Sequence, residues 1–256
     1  MKILKGENFS FCPDRGGIIT SLILGGKEIL YMDRETLLDT SKSVRGGIPI
    51  LFPNAGPIEG SQFPELKQHG FARTSSAWKC EMQEQEFIET LRANEATKRV
   101  FPFDFELRMR GKLEDNGSFT LTQEVLNLAP NQAMPVAMGL HPYFKVPDAE
   151  KRNITFDFPG DDVAEAQAQT WMDGGMIALD NPTAPLRITL PTIGTLVMNF
   201  SKEYEKIWIW SLPGKDFICI EPMMREPGGF VSNPEIVKEK PLIGKTRFKL
   251  DSKEVF

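Results

Sequence analysis

Apolar and polar residues alternate with a period of two along much of the chain. Leu107, Met109 and Leu113 alternate with charged residues, and Phe119, Leu121 and Val125 alternate with Thr120, Thr122 and Glu124. Asp115-Asn116-Gly117 stands between these runs. Asn-Gly tolerates positive φ, so the segment predicts a β-hairpin. A second hairpin is predicted at Leu22–Leu24, Gly25-Gly26 and Glu28–Tyr31. A third is predicted from Ile207–Trp210 through Leu212–Lys215 to Phe217–Ile220, and Thr246–Leu250 alternates again. Helical periodicity is scarce. One short helix is expected over Asp161–Gln169, closed by Gly174-Gly175. The 19 prolines and 21 glycines are spread throughout, which suits short strands joined by turns. The pattern predicts an all-β, mostly antiparallel sandwich with few short helices, and no linker divides residues 1–256 into separate domains.

Composition narrows the function classes. The hydrophobic share of 41% and charged share of 25% are those of an ordinary globular chain. A net charge of −5 without a dense basic block argues against nucleic acid. No run of about 18 apolar residues offers a membrane span. The start, Met1 to Glu7, has no apolar stretch of signal-peptide length, so a cytoplasmic protein is expected. Cys12, Cys80 and Cys219 form no CxxC pair, so cysteine spacing suggests neither a disulfide framework nor a zinc site.

Only two histidines occur, His69 in KQHGFAR and His141 in GLHPYF. Each is open to a structural reading as well as to proton transfer near neutral pH. Pro142 biases His141 towards extended backbone. The segment Arg45-Gly46-Gly47-Ile48-Pro49 is either a tight entry to a buried strand or a place where backbone passes close to a ligand. It has neither the spacing nor the ending of a phosphate-binding P-loop. Glu221 alternates with Cys219 and Phe217, so its side chain shares an apolar face at an expected strand end before Pro222. Partial burial there would raise its pKa, whereas an exposed strand-end glutamate is the plainer alternative. Two histidines and a glutamate, with no metal cluster, nucleotide loop or serine elbow, suit proton transfer at a polar, uncharged centre.

Four ordered segments add a family resemblance: RGGIPILFP at 45–53, KQHGFAR at 67–73 followed by Trp78, GLHPYF at 139–144 and SLPGKDFICIEP at 211–222. Together they make the chain resemble the galactose mutarotase-like superfamily, and more closely its aldose 1-epimerase and glucose-6-phosphate 1-epimerase branch. The resemblance implies a β-supersandwich with a shallow sugar cleft, no metal and no organic cofactor, in a monomer or weak dimer. It also implies a small-molecule partner, a sugar or sugar phosphate, whose α and β anomers are interconverted. By this resemblance Glu221 is the general base on the anomeric hydroxyl, His141 the general acid on the ring oxygen, and His69 holds the sugar. Arg45 and Arg73 stand where related hexose-phosphate epimerases face the phosphate; pairing with local acids is the alternative. The family's sugar-binding aspartate has no clear motif here, leaving Asp173, or else Asp180. Two rival readings are a non-catalytic sugar-binding protein on the same fold, and an isomerase or lyase needing a metal or a tyrosine base from Tyr31, Tyr143 or Tyr204.

Overall fold

A computed structural model describes residues 1–159 and 161–251; the remaining end of the expected 1–256 domain, 252–256, lies outside the described residues. Every strand pairing between named strands is antiparallel. The largest sheet has eight strands, in the order Thr155–Asp157, Leu186–Leu190, Gly194–Phe200, Leu242–Leu250, Phe119–Asn127, Phe105–Leu113, Glu86–Arg92 and Lys79–Met82. A six-stranded sheet runs Met176–Asp180, Lys206–Trp210, Phe217–Met223, Gly139–Leu140 and Ile50–Leu51, with Tyr143–Lys145 also paired to Phe217–Met223. Smaller four- and two-stranded sheets complete the all-β architecture, and among the described residues the helices have six residues or fewer.

The period of two explains how these sheets stack. Phe119, Leu121 and Val125 point into the main core, together with Ile218 and Ile220 of the six-stranded sheet. Aromatic contacts join the two layers: Phe52 and Phe105 have ring centroids 4.9 Å apart, and Phe144 and Phe248 6.0 Å apart. Gln123 Nε2 reaches Leu51 O at 3.4 Å and Gln123 Oε1 accepts from the Tyr204 hydroxyl, so the buried amide has partners on both sides.

The Asn-Gly hairpin forms as expected, with Leu113 opposite Phe119. Its connection is longer than a two-residue turn: Gly117 N donates to Glu114 O, and Asn116 Oδ1 accepts from Ser118 N. The Gly25-Gly26 hairpin forms too, but its return strand is only Lys27–Glu28. Glu28 ends it, because its carboxylate accepts from the backbone N–H groups of Leu22 and Leu30. The expected helix is split into Asp161–Ala166 and Ala168–Met172, and Gly175 N caps the second by donating to Thr170 O.

Candidate active site

Strand Phe217–Met223 is the spine of the site. Ile218 and Ile220 face the main core, while Phe217, Cys219 and Glu221 face the other way. On one side Lys206–Trp210 sets Trp210 opposite Cys219 and Trp208 opposite Glu221. On the other side two short strands share the spine, with Tyr143 opposite Cys219 and Gly139 opposite Met223. His141-Pro142 falls in the gap between them, which carries the imidazole across to Glu221. His141 N donates to Pro49 O at 3.1 Å, tying this corner to the 45–53 segment.

Glu221 corrects one expectation. The strand does not end at Pro222 but continues to Met223, with Pro222 opposite Ile207. Glu221 therefore lies inside a central strand and is 2% exposed.

The two glycine-containing motifs bring in the remaining side chains. Phe52 O accepts from Phe71 N and Ala72 N, so the KQHGFAR segment lies against the 45–53 segment. A Cβ on Gly70 would stand 2.0 Å from Phe52 O, and both His69 and Gly70 have positive φ. This tight turn places the His69 ring 5.6 Å from that of His141. Gly47 makes a similar approach, since a Cβ there would lie 2.1 Å from Ile19 O. Arg45 is held by its backbone N–H, which donates to Thr36 Oγ1 at 2.9 Å. Arg73 leaves a 3-10 turn, Ala72–Thr74, and donates to Val44 O at 3.3 Å.

These elements enclose a cleft of about 470 Å³ lined by His69, His141, Glu221, Arg45 and Arg73, with Ser43, Gln68, Tyr143 and an apolar wall of Trp208, Trp210, Met176, Pro57 and Pro227. That volume suits a small-molecule ligand. His141 Nδ1 lies 3.4 Å from Glu221 Oε1, and both side chains are buried. The His141 ring stacks on Tyr143, with centroids 4.7 Å apart and planes within 6°. Trp210 packs edge-on against His141 and is fixed by donating from Nε1 to Gly174 O at 3.0 Å.

Electrostatics follow from burial. Loss of water drives the Glu221 carboxyl well above its usual range, and the Arg73 charge partly opposes this. Burial drives the His141 imidazole well below its usual range, helped by His69 and Arg73. His69 is lowered to about 4, again first by burial and then by Arg73. Neither Arg45 nor Arg73 forms an ion pair among the described residues. Among the described residues, Glu221 is the one acidic residue lining the cleft.

Asp173 and Asp180 do not line it. Asp173 is the exposed C-cap of helix Ala168–Met172, and its carboxylate accepts from Gln169 Nε2 at 2.7 Å. Asp180 pairs with Lys206 Nζ at 2.6 Å on the surface. The neighbouring segment contributes Met176 to the cleft instead. Tyr143, named from the sequence only as a candidate base in a rival reading, lines the cleft, and Trp208 and Trp210 are cleft residues that sequence reasoning missed. The signal for the tryptophans was the alternation itself, because pairing the third predicted hairpin puts both on the face of Cys219 and Glu221.

Comparison with known proteins gives a consistent picture. The sequence profile of the family described as aldose 1-epimerase matches residues 7–191. A protein of Cenchrus ciliaris named "Putative glucose-6-phosphate 1-epimerase" is 30% identical over 151 residues, 54% of this chain and 44% of its own length. A protein of the same name from Salmonella typhimurium is 30% identical over 152 residues, 54% of this chain and 45% of its own. The chain thus spans less than half the length of these curated relatives in the matched region. Among solved structures, the Slr1438 protein of Synechocystis sp. PCC 6803 superposes with a TM-score of 0.82 and 32% identity, covering 94% of this chain and 90% of that one. A galactose mutarotase related enzyme from Lactobacillus acidophilus shares the fold, with a TM-score of 0.74 at 18% identity and coverage of 99% and 98%. The chain belongs to the aldose 1-epimerase family.

Proposed function

We propose that the protein interconverts the α and β anomers of a hexose 6-phosphate by acid–base ring opening and reclosure. The observation that carries this reading is the buried contact between His141 Nδ1 and Glu221 Oε1, 3.4 Å apart, in a cleft that also presents two arginines without carboxylate partners. Glu221 takes the proton from the anomeric hydroxyl while His141 donates one to the ring oxygen, so the ring opens to the aldehyde. Rotation about C1–C2 exposes the other carbonyl face, and the same two groups close the ring in reverse. Acting together, they avoid a free alkoxide. His69 holds the sugar, and the apolar wall of Trp208 and Trp210 covers its C–H face.

Arg45 and Arg73 supply the phosphate contacts, aided by Ser43. A planar guanidinium suits bidentate contact with phosphate oxygens. The phosphate reading draws support from the cleft's charge, because its two arginines face a single carboxyl. Anomer exchange followed by NMR for glucose 6-phosphate, glucose and galactose tests the proposal. Acceleration limited to the phosphate ester supports it, equal acceleration of all three removes the phosphate requirement, and acceleration of none favours a non-catalytic sugar-binding protein.

A further inference from the structure

Cys219 takes no part in the acid–base reading, yet it sits directly beneath the pair. The ligand atoms of His141, Cys219 and Glu221 all lie within 4.8 Å of one another, and all three residues are buried. Strand geometry produces the cluster: Cys219 and Glu221 are alternate residues on one face of Phe217–Met223, and His141 enters between two strands that pair with it. His141 is 5% exposed, and its Nδ1 has no hydrogen-bond partner. A buried polar atom left this way is destabilising, and a bound group would relieve it.

We propose that His141, Cys219 and Glu221 form a binding site for a thiophilic divalent cation, Zn²⁺ or Cd²⁺, that acts as an inhibitor by occupying the acid–base pair. That the cation inhibits rests on the catalytic reading above; that it binds does not. One imidazole nitrogen, one sulfur and one carboxylate oxygen are the donor types zinc takes, with a fourth position left to water. Hard cations such as Mg²⁺ find a single oxygen donor here and are excluded. Zinc bonds of about 2.0–2.3 Å set tetrahedral edges of roughly 3.3–3.7 Å, so the side chains must close by about 1 Å. Coordination sends the Cys219 proton to solvent. Arg73, whose charge acts on both His141 and Glu221, opposes the cation and keeps binding weaker than at a structural zinc site.

Cobalt titration of the metal-free full chain tests this. A Cys80→Ser background removes the exposed thiol as a competing ligand. The expected result is saturation at a single equivalent of Co²⁺, with a sulfur-to-cobalt charge-transfer band and tetrahedral d–d bands, all displaced by Zn²⁺. Adding Cys219→Ala should abolish the charge-transfer band and weaken Zn²⁺ binding by roughly tenfold or more in calorimetry. Its anomerisation rate in chelator should stay unchanged. Cys219→Ser, with near-ultraviolet circular dichroism as a folding check, serves if the alanine variant does not fold. An octahedral spectrum without the charge-transfer band, or equal Zn²⁺ affinity with and without Cys219, overturns the site. The band does not depend on sugar chemistry. A band without anomerisation therefore keeps the metal site and removes the catalytic reading, while anomerisation without a band does the reverse.

Discussion

His141 Nδ1 and Glu221 Oε1 face each other at 3.4 Å across the junction of three strands, and burial shifts their proton affinities in opposite directions. In water the imidazole holds a proton more tightly than the carboxylate. Here the carboxyl is raised and the imidazole lowered, so burial favours the uncharged form of each group. The two lie close enough that the pair titrates as a unit.

Removing either member while keeping its shape should stop turnover. His141→Asn and Glu221→Gln are each expected to lower kcat by roughly 100-fold or more, given the usual size of acid–base contributions. Circular dichroism should be unchanged. Near-normal rates in either variant would take that residue out of the mechanism.

The pH profile carries a sign. The reactive form has Glu221 ionised and His141 protonated, and burial opposes both charges. kcat/KM should therefore follow a bell-shaped profile whose limbs belong to the coupled pair. The Arg73 charge lowers the proton affinity of both groups, so Arg73→Ala should move the whole profile to higher pH. A profile left in place by Arg73→Ala contradicts the electrostatic coupling.

Arg45 offers a cleaner test of phosphate recognition, because it stands at the exposed rim. Arg45→Ala should raise KM for glucose 6-phosphate by roughly tenfold, the loss of one charge-assisted contact worth about 1.5 kcal/mol. KM for glucose should not move. Equal effects on both sugars would show that the arginine is not reading phosphate.

Glu89 predicts a stability effect away from the cleft. It sits between Phe87 and Leu91 on the inward face of its strand, fully buried, with neither carboxylate oxygen hydrogen-bonded. Burial raises its pKa from 4.5 to about 8. Between those values the folded chain keeps a proton that the unfolded chain has released. Stability is thus lost as pH climbs through that window, by roughly 4 kcal/mol at its upper end. Glu89→Gln should raise Tm by on the order of 10 °C at pH above 8 and leave it unchanged near 4.5. His69, lowered from 6.5 to about 4, acts oppositely, its contribution being lost as pH falls through that range. The difference between variant and wild type isolates Glu89. A Tm difference independent of pH would contradict the assignment.

The alternating pattern was enough to place the hairpins, because a one-residue slip would turn every apolar side chain to the wrong face. The same logic put Glu221 on the face of Cys219 and Phe217. It misjudged depth, since Pro222 reads as a strand end although the strand continues to Met223. Five of the six expected site residues line one cleft. Asp173 does not, because the end of a short helix turns its carboxylate back onto Gln169, a local geometry invisible to motif spacing. The tryptophan wall follows from the same alternation once the 207–220 hairpin is paired. The His141–Cys219–Glu221 cluster depends instead on cross-strand register between distant segments, and neighbour spacing along the chain carries no trace of it. Glu89 was legible in principle, as a charged residue at an inward position of an alternating run.

The most direct test of the account is selective-inversion NMR of the two anomer signals of glucose 6-phosphate, with wild-type protein and with Glu221→Gln. The account predicts that wild type speeds α/β exchange well above the uncatalysed rate and that Glu221→Gln returns it close to that rate. Exchange at the uncatalysed rate with wild-type protein, for this ester and for free glucose and galactose alike, would contradict it.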